Sequence, residues 1–360
     1  MASLFPAVTL QTCRLLDAGA GVGALSCAFL DRWATASELS FQSAELQAYE
    51  IDEKLRAHLE STLASYVGRL PVTYKISAGD FIWEAALKSL QGTARFTHAI
   101  LNPPYKKINS ASQHRHILRR AGIETVNLYS AFVALALALM QPSGQLVAII
   151  PRSFCNGPYY RPFREFMLFH SAIRHLHLFA SRAKAFKEDE VLQENIIIRL
   201  ERGGAQGDVT VSHSTDASFA DIVTHQQPFD RIVFPDDPER FIHIPTSLGQ
   251  NAIERCRDIR FSLSEIGVAV STGPVVDFRL REHIQQQPTK GTVPLLYPGH
   301  FAGNTTQWPK EGIKRGNAIK FNVHTQKWLY PNGFYAITRR FREGGAPPDR
   351  RQRRYSGHLR

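Results

Sequence analysis

Cysteine is scarce and unpatterned in this sequence. The four cysteines, Cys13, Cys27, Cys155 and Cys256, include no CxxC pair and no neighbouring histidine spacing. That excludes a zinc ribbon or a disulfide framework and points to a reducing cytoplasm. Long apolar runs are also missing: the longest, from Ala131 to Met140, falls far short of the roughly 20 residues that cross a bilayer. It reads as a buried helix, so no membrane partner is expected. No basic segment followed by an apolar one opens the chain, so a signal peptide is not expected. A PD…ExK nuclease pattern is absent too. Acidic residues are rare near the C-terminus, where residues 301–360 hold 13 Lys/Arg against 3 Asp/Glu, while the other 300 residues are nearly balanced at 30 against 29. A near-neutral body followed by a basic part suits a polyanionic partner, although charge alone fits a solubilising tail equally well.

Up to about Leu200, β-like runs at 14–17, 44–51, 72–76, 98–101, 145–150 and 173–178 alternate with helical patterns such as 24–33, 53–64 and 128–140. This alternation predicts a mostly parallel sheet with helices on both faces. Runs at 191–200 and 209–212, with Gly203, Gly204 and Gly207 between them, predict an antiparallel ending to that sheet. Four prolines between Pro228 and Pro245 mark a change of rhythm. The expected division is therefore a catalytic domain over 1–245, a second region over 246–341, and an Arg-rich tail over 342–360 that is expected to be disordered.

Two stretches carry chemistry. Leu15-Leu16-Asp17-Ala18-Gly19-Ala20-Gly21-Val22-Gly23 is an apolar strand entering a glycine loop. Glycines there permit tight turning and let backbone N–H groups approach a ligand. The GxGxG spacing differs from the dinucleotide GxGxxG pattern. Asp17 at the strand end suits the cationic methionine portion of S-adenosylmethionine. An ordinary strand–turn–helix joint is the plain alternative. Glu50, at the tip of the second strand, suits two ribose hydroxyls, and Asp52 suits the cap of the next helix. After the third strand, Asp80 offers a carboxylate to an adenine amine, and Phe81 is either an aromatic edge for its ring or core packing.

The fourth strand runs directly into Asn102-Pro103-Pro104-Tyr105. Consecutive prolines stiffen the chain at a strand's carboxyl end, where open α/β sheets bind ligands. The Asn102 side-chain oxygen and the Pro103 carbonyl can then accept hydrogen bonds from one NH2 group. Tyr105 supplies a face on which a planar substrate stacks.

DAGAGVG followed by NPPY resembles the gamma class of DNA adenine-N6 methyltransferases of bacterial restriction–modification systems, over about Leu15 to Phe341. The resemblance implies a Rossmann-like S-adenosylmethionine-dependent methyltransferase sheet with an antiparallel strand at its end. By it, Asp17, Gly19, Gly21 and Glu50 contact the methionine and ribose parts of S-adenosylmethionine, and Asp80 and Phe81 its adenine. Asn102 through Tyr105 hold the target base, Asn127-Leu128-Tyr129-Ser130 helps wall the pocket, and Phe186 is a second stacking aromatic. Ile150-Pro151-Arg152-Ser153-Phe154 matches a later strand-end motif of mainly structural role. Segments after Val270 resemble part of a target-recognition region. Double-stranded DNA is the implied substrate, and a cognate restriction endonuclease the implied companion. The class carries a further motif ahead of the glycine loop. With residues 1–12 alone in that place, the motif is expected to be missing and the unaided chain to be weakly active. Rival readings are a protein glutamine-N5 methyltransferase, a ribosomal RNA methyltransferase, and a catalytically inactive DNA-binding fragment.

Overall fold

The apolar run that leads into the glycine loop forms a longer strand than its hydrophobic centre suggests, because residues 8–13 extend it by pairing along a neighbour. In the computed structural model, which describes residues 1–179, 194–245, 261, 263, 265–303 and 305–338, this first strand, β1, covers Val8–Ala18. The chain then alternates through α1 (Ala24–Thr35), β2 (Leu39–Tyr49), α2 (Glu53–Ala64), β3 (Val72–Ser77), α3 (Phe81–Leu90) and β4 (Phe96–Leu101). Next come α4 (Gln113–Arg120), α5 (Leu128–Ala138), β5 (Met140–Pro151), α6 (Arg161–His170), β6 (Ser171–Phe179), β7 (Asn195–Arg202), β8 (Val209–Ser214) and β9 (Val223–Gln227). All nine strands join one sheet in the order β3-β2-β1-β4-β5-β7-β6-β8-β9.

The parallel alternating core agrees with the sequence reading. The antiparallel ending does not fall where it was expected. β7 runs antiparallel between β5 and β6, inside the sheet, and β8 returns parallel to β6. Ile196, Ile197 and Ile198 are all buried, so both faces of β7 are covered, while its pairing with β5 on one side and β6 on the other makes it interior. The strand that closes this side is β9, antiparallel to β8. Its sequence, VTHQQ, has little apolar content to announce it. Residues 191–193 of the expected run, the candidate Phe186 and the Arg-rich tail lie outside the described residues.

Helices cover both faces. α1 and α2 bury Phe29, Leu30, Leu59 and Leu63 against one face, while α3, α4, α5 and α6 cover the other. α5 is buried at every residue from 129 to 137, as its unbroken apolar run requires. Local chemistry sets the helix starts. Asp52 caps α2 by accepting from the Lys54 and Leu55 amides, and Ser112 caps α4 through the Arg115 amide.

The chain divides into compact units at Met1–Arg257 and Asp258–Arg360. The second unit has a three-stranded antiparallel sheet built from β10 (Ile284–Gln285), β11 (Thr292–Pro294) and β14 (Ala318–Lys320), and a hairpin of β12 (Phe301–Ala302) with β13 (Thr305–Thr306). Its centre is polar. Buried Asn317 donates to the Gln286 and Lys310 carbonyls and accepts from the Lys310 amide and His300 Nε2.

One buried charge fastens the loop after β5. Arg164, 0% exposed, donates to the carbonyls of Phe154, Gly157 and Glu239. Removing it takes the donor from three carbonyls, that of Phe154 buried and those of Gly157 and Glu239 partly buried, each costly to strand. Arg164→Leu is expected to lower unfolding free energy by about 3 kcal/mol in urea titrations. A loss under about 1 kcal/mol would show that water replaces the guanidinium freely.

Candidate active site

The sheet reverses its winding between β1 and β4: the chain builds outward through β2 and β3, then crosses back to the other side of β1. Such a switch point opens a crevice at the strands' carboxyl ends. The loop after β1 and the tetrapeptide after β4 face it together. A Cβ built on Gly19 would lie 3.8 Å from both the Asn102 carbonyl and Pro104 Cδ, and 3.7 Å from the Phe132 ring. The two motifs, separated by more than 80 residues in sequence, therefore meet at van der Waals distance.

Gly19, Gly21 and Gly23 all adopt positive φ, at 78°, 58° and 90°. That conformation strains any residue bearing a Cβ. It lets the Gly19 and Ala20 amides donate to the Tyr49 carbonyl at 2.9 Å each, and the Gly21 amide to Glu50 Oε2 at 2.8 Å. The other Glu50 oxygen accepts the Asp52 amide at 2.9 Å. Glu50 thus fastens the loop to the end of β2 while retaining free lone pairs.

Asp17 is fully buried beneath the loop. Ser26 Oγ donates to its Oδ2 at 2.6 Å, but its Oδ1 has no partner among the described residues. Burial pushes the Asp17 carboxyl up to about 7, against the lowering effect of the Ser26 hydrogen bonds and with a small push from the Glu50 charge.

Asp80 caps α3, accepting the Trp83 amide at 3.2 Å, and its second oxygen meets His114 Nε2 of α4 at 2.6 Å. Phe81 is 3% exposed, its ring edge-on to Tyr49 and packed on Phe132, so it lies in the core beside the crevice.

On the β4 side, Asn102 and Pro104 are exposed and Pro103 is buried. The Tyr105 hydroxyl lies 3.3 Å from both Asn102 Oδ1 and the Ile149 carbonyl, and can donate to either. Donation to Asn102 orients that amide and leaves an Oδ1 lone pair for another donor. The segment beyond is stapled to the start of α5: the Leu128 amide donates to the Lys106 carbonyl and the Ile108 amide to the Val126 carbonyl. The wall behind is aromatic. Tyr105 meets Tyr129 edge-on at 6.2 Å, and Tyr129 packs against Tyr160 at 5.7 Å. The Tyr129 hydroxyl pairs with Ser153 Oγ at 3.1 Å, and Asn127 Nδ2 donates to the Tyr160 hydroxyl at 3.1 Å.

The crevice thus brings together Asp17, Gly19, Gly21, Glu50, Asn102, Pro103, Pro104 and Tyr105, with Asp80 bordering it at the head of α3. Sequence reasoning missed Ser26, His114 and Tyr160. Each meets its partner across an element boundary, and no local pattern marks it. Among the described residues, no group of three or more His, Cys, Asp or Glu side chains could hold a metal ion, and no helix is long and apolar enough to cross a membrane.

The raised Asp17 carboxyl has a consequence for stability. An unfolded Asp titrates at about 3.9, so the folded chain holds this proton more tightly than the unfolded one. Stability from this group therefore falls as pH rises from about 4 to about 7 and stays low above it. Asp17→Asn is expected to be more stable than wild type at pH 8, with the advantage shrinking toward pH 5 in paired urea titrations. A gap that stays constant with pH would trace the effect to packing instead.

Three comparisons with known proteins bear on this site. The Eco57I restriction-modification methylase family matches residues 29–186. The chain is 51% identical over 348 residues to the type II methyltransferase M.BsuBI of Bacillus subtilis, covering 95% of this chain and 69% of that protein. It is 40% identical over 350 residues to the type II methyltransferase M.PstI of Providencia stuartii, covering 94% and 68%. Among solved structures, the type IIG restriction endonuclease BpuSI aligns with a TM-score of 0.47 at 15% identity, over 63% of this chain and 29% of that one. Identity of this extent to two such enzymes, with the glycine loop and the tetrapeptide meeting in one crevice, makes the chain a member of the type II methyltransferases of restriction–modification systems.

Proposed function

We propose that the chain transfers a methyl group from S-adenosylmethionine to the N6 amine of an adenine flipped out of double-stranded DNA, as the methylase partner of a separate restriction endonuclease in the cytoplasm. The observation that carries this reading is the approach of Gly19 to Asn102 and Pro104, which sets a donor-binding loop against an amine-binding tetrapeptide.

The residues present fit the cofactor. Asp17 Oδ1 is a buried acceptor without a donor, beneath a loop whose Gly21 has open space where a Cβ would stand. Asp17 would favour the cationic methionine end, Glu50 the ribose hydroxyls, and Asp80 the adenine amine. When bound, the cofactor supplies a methyl group activated by its sulfonium. This chain's residues do the rest by positioning. Asn102 Oδ1 and the Pro103 carbonyl accept the two hydrogens of the target amine, which turns its lone pair out of the ring and toward the donor. They also stabilise the positive charge that grows on that nitrogen. Tyr105 offers a stacking face that offsets part of the unstacking cost, on the order of a few kcal/mol, of flipping the base. Phe186 is a second stacking candidate. The second unit is proposed to carry target recognition, with the exposed Lys314, Lys320 and Lys327 among its phosphate contacts.

The reading is tested by offering tritium-labelled cofactor with DNA, ribosomal RNA and a release factor in parallel, then identifying the methylated product by mass spectrometry. Label confined to N6-methyladenine in DNA is expected, and label in RNA or glutamine instead would overturn it. Within that assay, Asn102→Ala is expected to cut transfer by at least a hundredfold. Its affinity for the demethylated cofactor, measured by calorimetry, should stay near wild type. Glu50→Ala should do the reverse first, weakening cofactor binding about tenfold or more through the lost ribose contact. Equal loss of both properties in Asn102→Ala would show a damaged fold and sink the role assigned to it.

A further inference from the structure

The loop leaving β5 is built more firmly than a surface connection requires. Arg164 gathers its Phe154 and Gly157 carbonyls from within the core, and the guanidinium lies 4.9 Å from the centre of the Phe241 ring. A Cβ on Gly157 would come within 2.6 Å of the Ser153 carbonyl and 2.7 Å of the Tyr160 ring, so the turn closes too tightly for a larger residue. Pro158 then fixes the first position of a short 3-10 turn over Pro158–Tyr160. Tyr160 locks inward, packed on Tyr129 and bonded to Asn127. Its neighbour Tyr159 turns outward and is 75% exposed.

Exposure alone is no argument, since scattered exposed apolar residues are common on protein surfaces. Phe169, 84% exposed near the end of α6, is one such case, at the opposite edge of the sheet from the tetrapeptide. Tyr159 differs in its mount and its place. It stands at the carboxyl edge, on a frame two ring contacts from Tyr105. Lys106 and Lys107 are exposed on the same edge, and neither enters any ion pair among the described residues.

We infer that Tyr159 is a stacking contact for DNA, its ring lying against a nucleobase next to the extruded target while Lys106 and Lys107 neutralise the adjoining phosphates. This inference rests on the DNA reading above. Flipping a base uncovers the faces of its neighbours, and an aromatic side chain carried on a fixed turn, with only two rotatable bonds to settle, replaces lost stacking at a small entropic cost. Stacking tolerates any base, so Tyr159 contributes affinity and extrusion and leaves sequence choice to other residues.

The test compares wild type with Tyr159→Ala, Tyr159→Phe and Phe169→Ala. Affinity is measured by fluorescence anisotropy for a plasmid-derived duplex containing the site that wild type methylates, or for a mixed-sequence duplex if none is methylated. The same duplex with a mismatch opposite an adenine is run beside it. Tyr159→Ala is expected to weaken duplex binding about tenfold, the scale of one base–aromatic stack. Tyr159→Phe and Phe169→Ala should remain within twofold of wild type. The mismatch, which lowers the cost of extrusion, should restore part of the loss. Wild-type DNA binding with Tyr159→Ala unchanged overturns the stacking role and leaves the DNA reading standing. Equal losses in Tyr159→Ala and Phe169→Ala also overturn it, as a general surface effect. No DNA binding by the folded wild type overturns the DNA reading itself, and the inference falls with it.

Discussion

The constraint on which the rest of this structure depends is the approach of one glycine to the end of a neighbouring strand. Gly19 has a φ of 78°, with the Asn102 carbonyl, Pro104 and the Phe132 ring at contact distance from where a Cβ would stand. A side chain there would be strained by its backbone and would also fill the crevice. The approach requires β1 and β4 to be adjacent, parallel and in register, as the pairing of Leu15 with His98 and Leu16 with Ala99 secures. The helical layers on both faces serve that register. Phe29 and Leu59 press on one side and α5 on the other, so the two strand ends cannot slide apart without opening the core.

What was legible in the sequence is what short segments decide for themselves. The glycine loop could be read because positive φ selects glycine, and the tetrapeptide because two prolines restrict their own backbone. Asp52 announced its helix because a cap acts over three residues, and the structure has it accepting the Lys54 and Leu55 amides. The parallel core followed from alternation. The place of β7 did not, because strand order is set by which faces are buried at a distance, and Ile196–Ile198 look alike in an edge strand and an interior one. β9 escaped because Thr224, Gln226 and Gln227 carry no apolar alternation. Ser26, His114, Tyr160 and Arg164 escaped for a related reason. Each is defined by a partner on another element, and a hydroxyl, an imidazole, a phenol or a guanidinium seen alone does not say whom it meets.

The two sides of the crevice are held by different physics. On the β1 side the fixing elements are polar: backbone amides tied to Tyr49 and Glu50, and a hydroxyl on Asp17. On the β4 side they are rings: Tyr105, Tyr129 and Tyr160 in succession, with hydroxyls satisfied at their margins. Hydrogen-bonded loops can exchange partners when a ligand brings its own donors, whereas a packed row of rings resists displacement. The glycine side is therefore suited to a ligand with many polar groups, and the ring side to a flat one that must be held at a fixed angle.

Both sides also carry an unmet cost. Buried side-chain oxygens normally find a donor. Among the described residues, Asp17 Oδ1 beneath the glycine loop, Asn127 Oδ1 at the head of α5 and Asn195 Oδ1 at the start of β7 do not. For Asp17 the cost registers as a carboxyl pushed up to about 7, chiefly because burial disfavours the ionised form. Removing that cost by substitution would also remove the acceptor, so a more stable protein of this fold would be one with a poorer crevice. The rest of the first unit supplies the margin: a nine-stranded sheet covered on both faces tolerates a few stranded acceptors at one edge. Among the described residues, one such cost sits where two distant segments meet, beneath a loop whose positive φ angles select glycine.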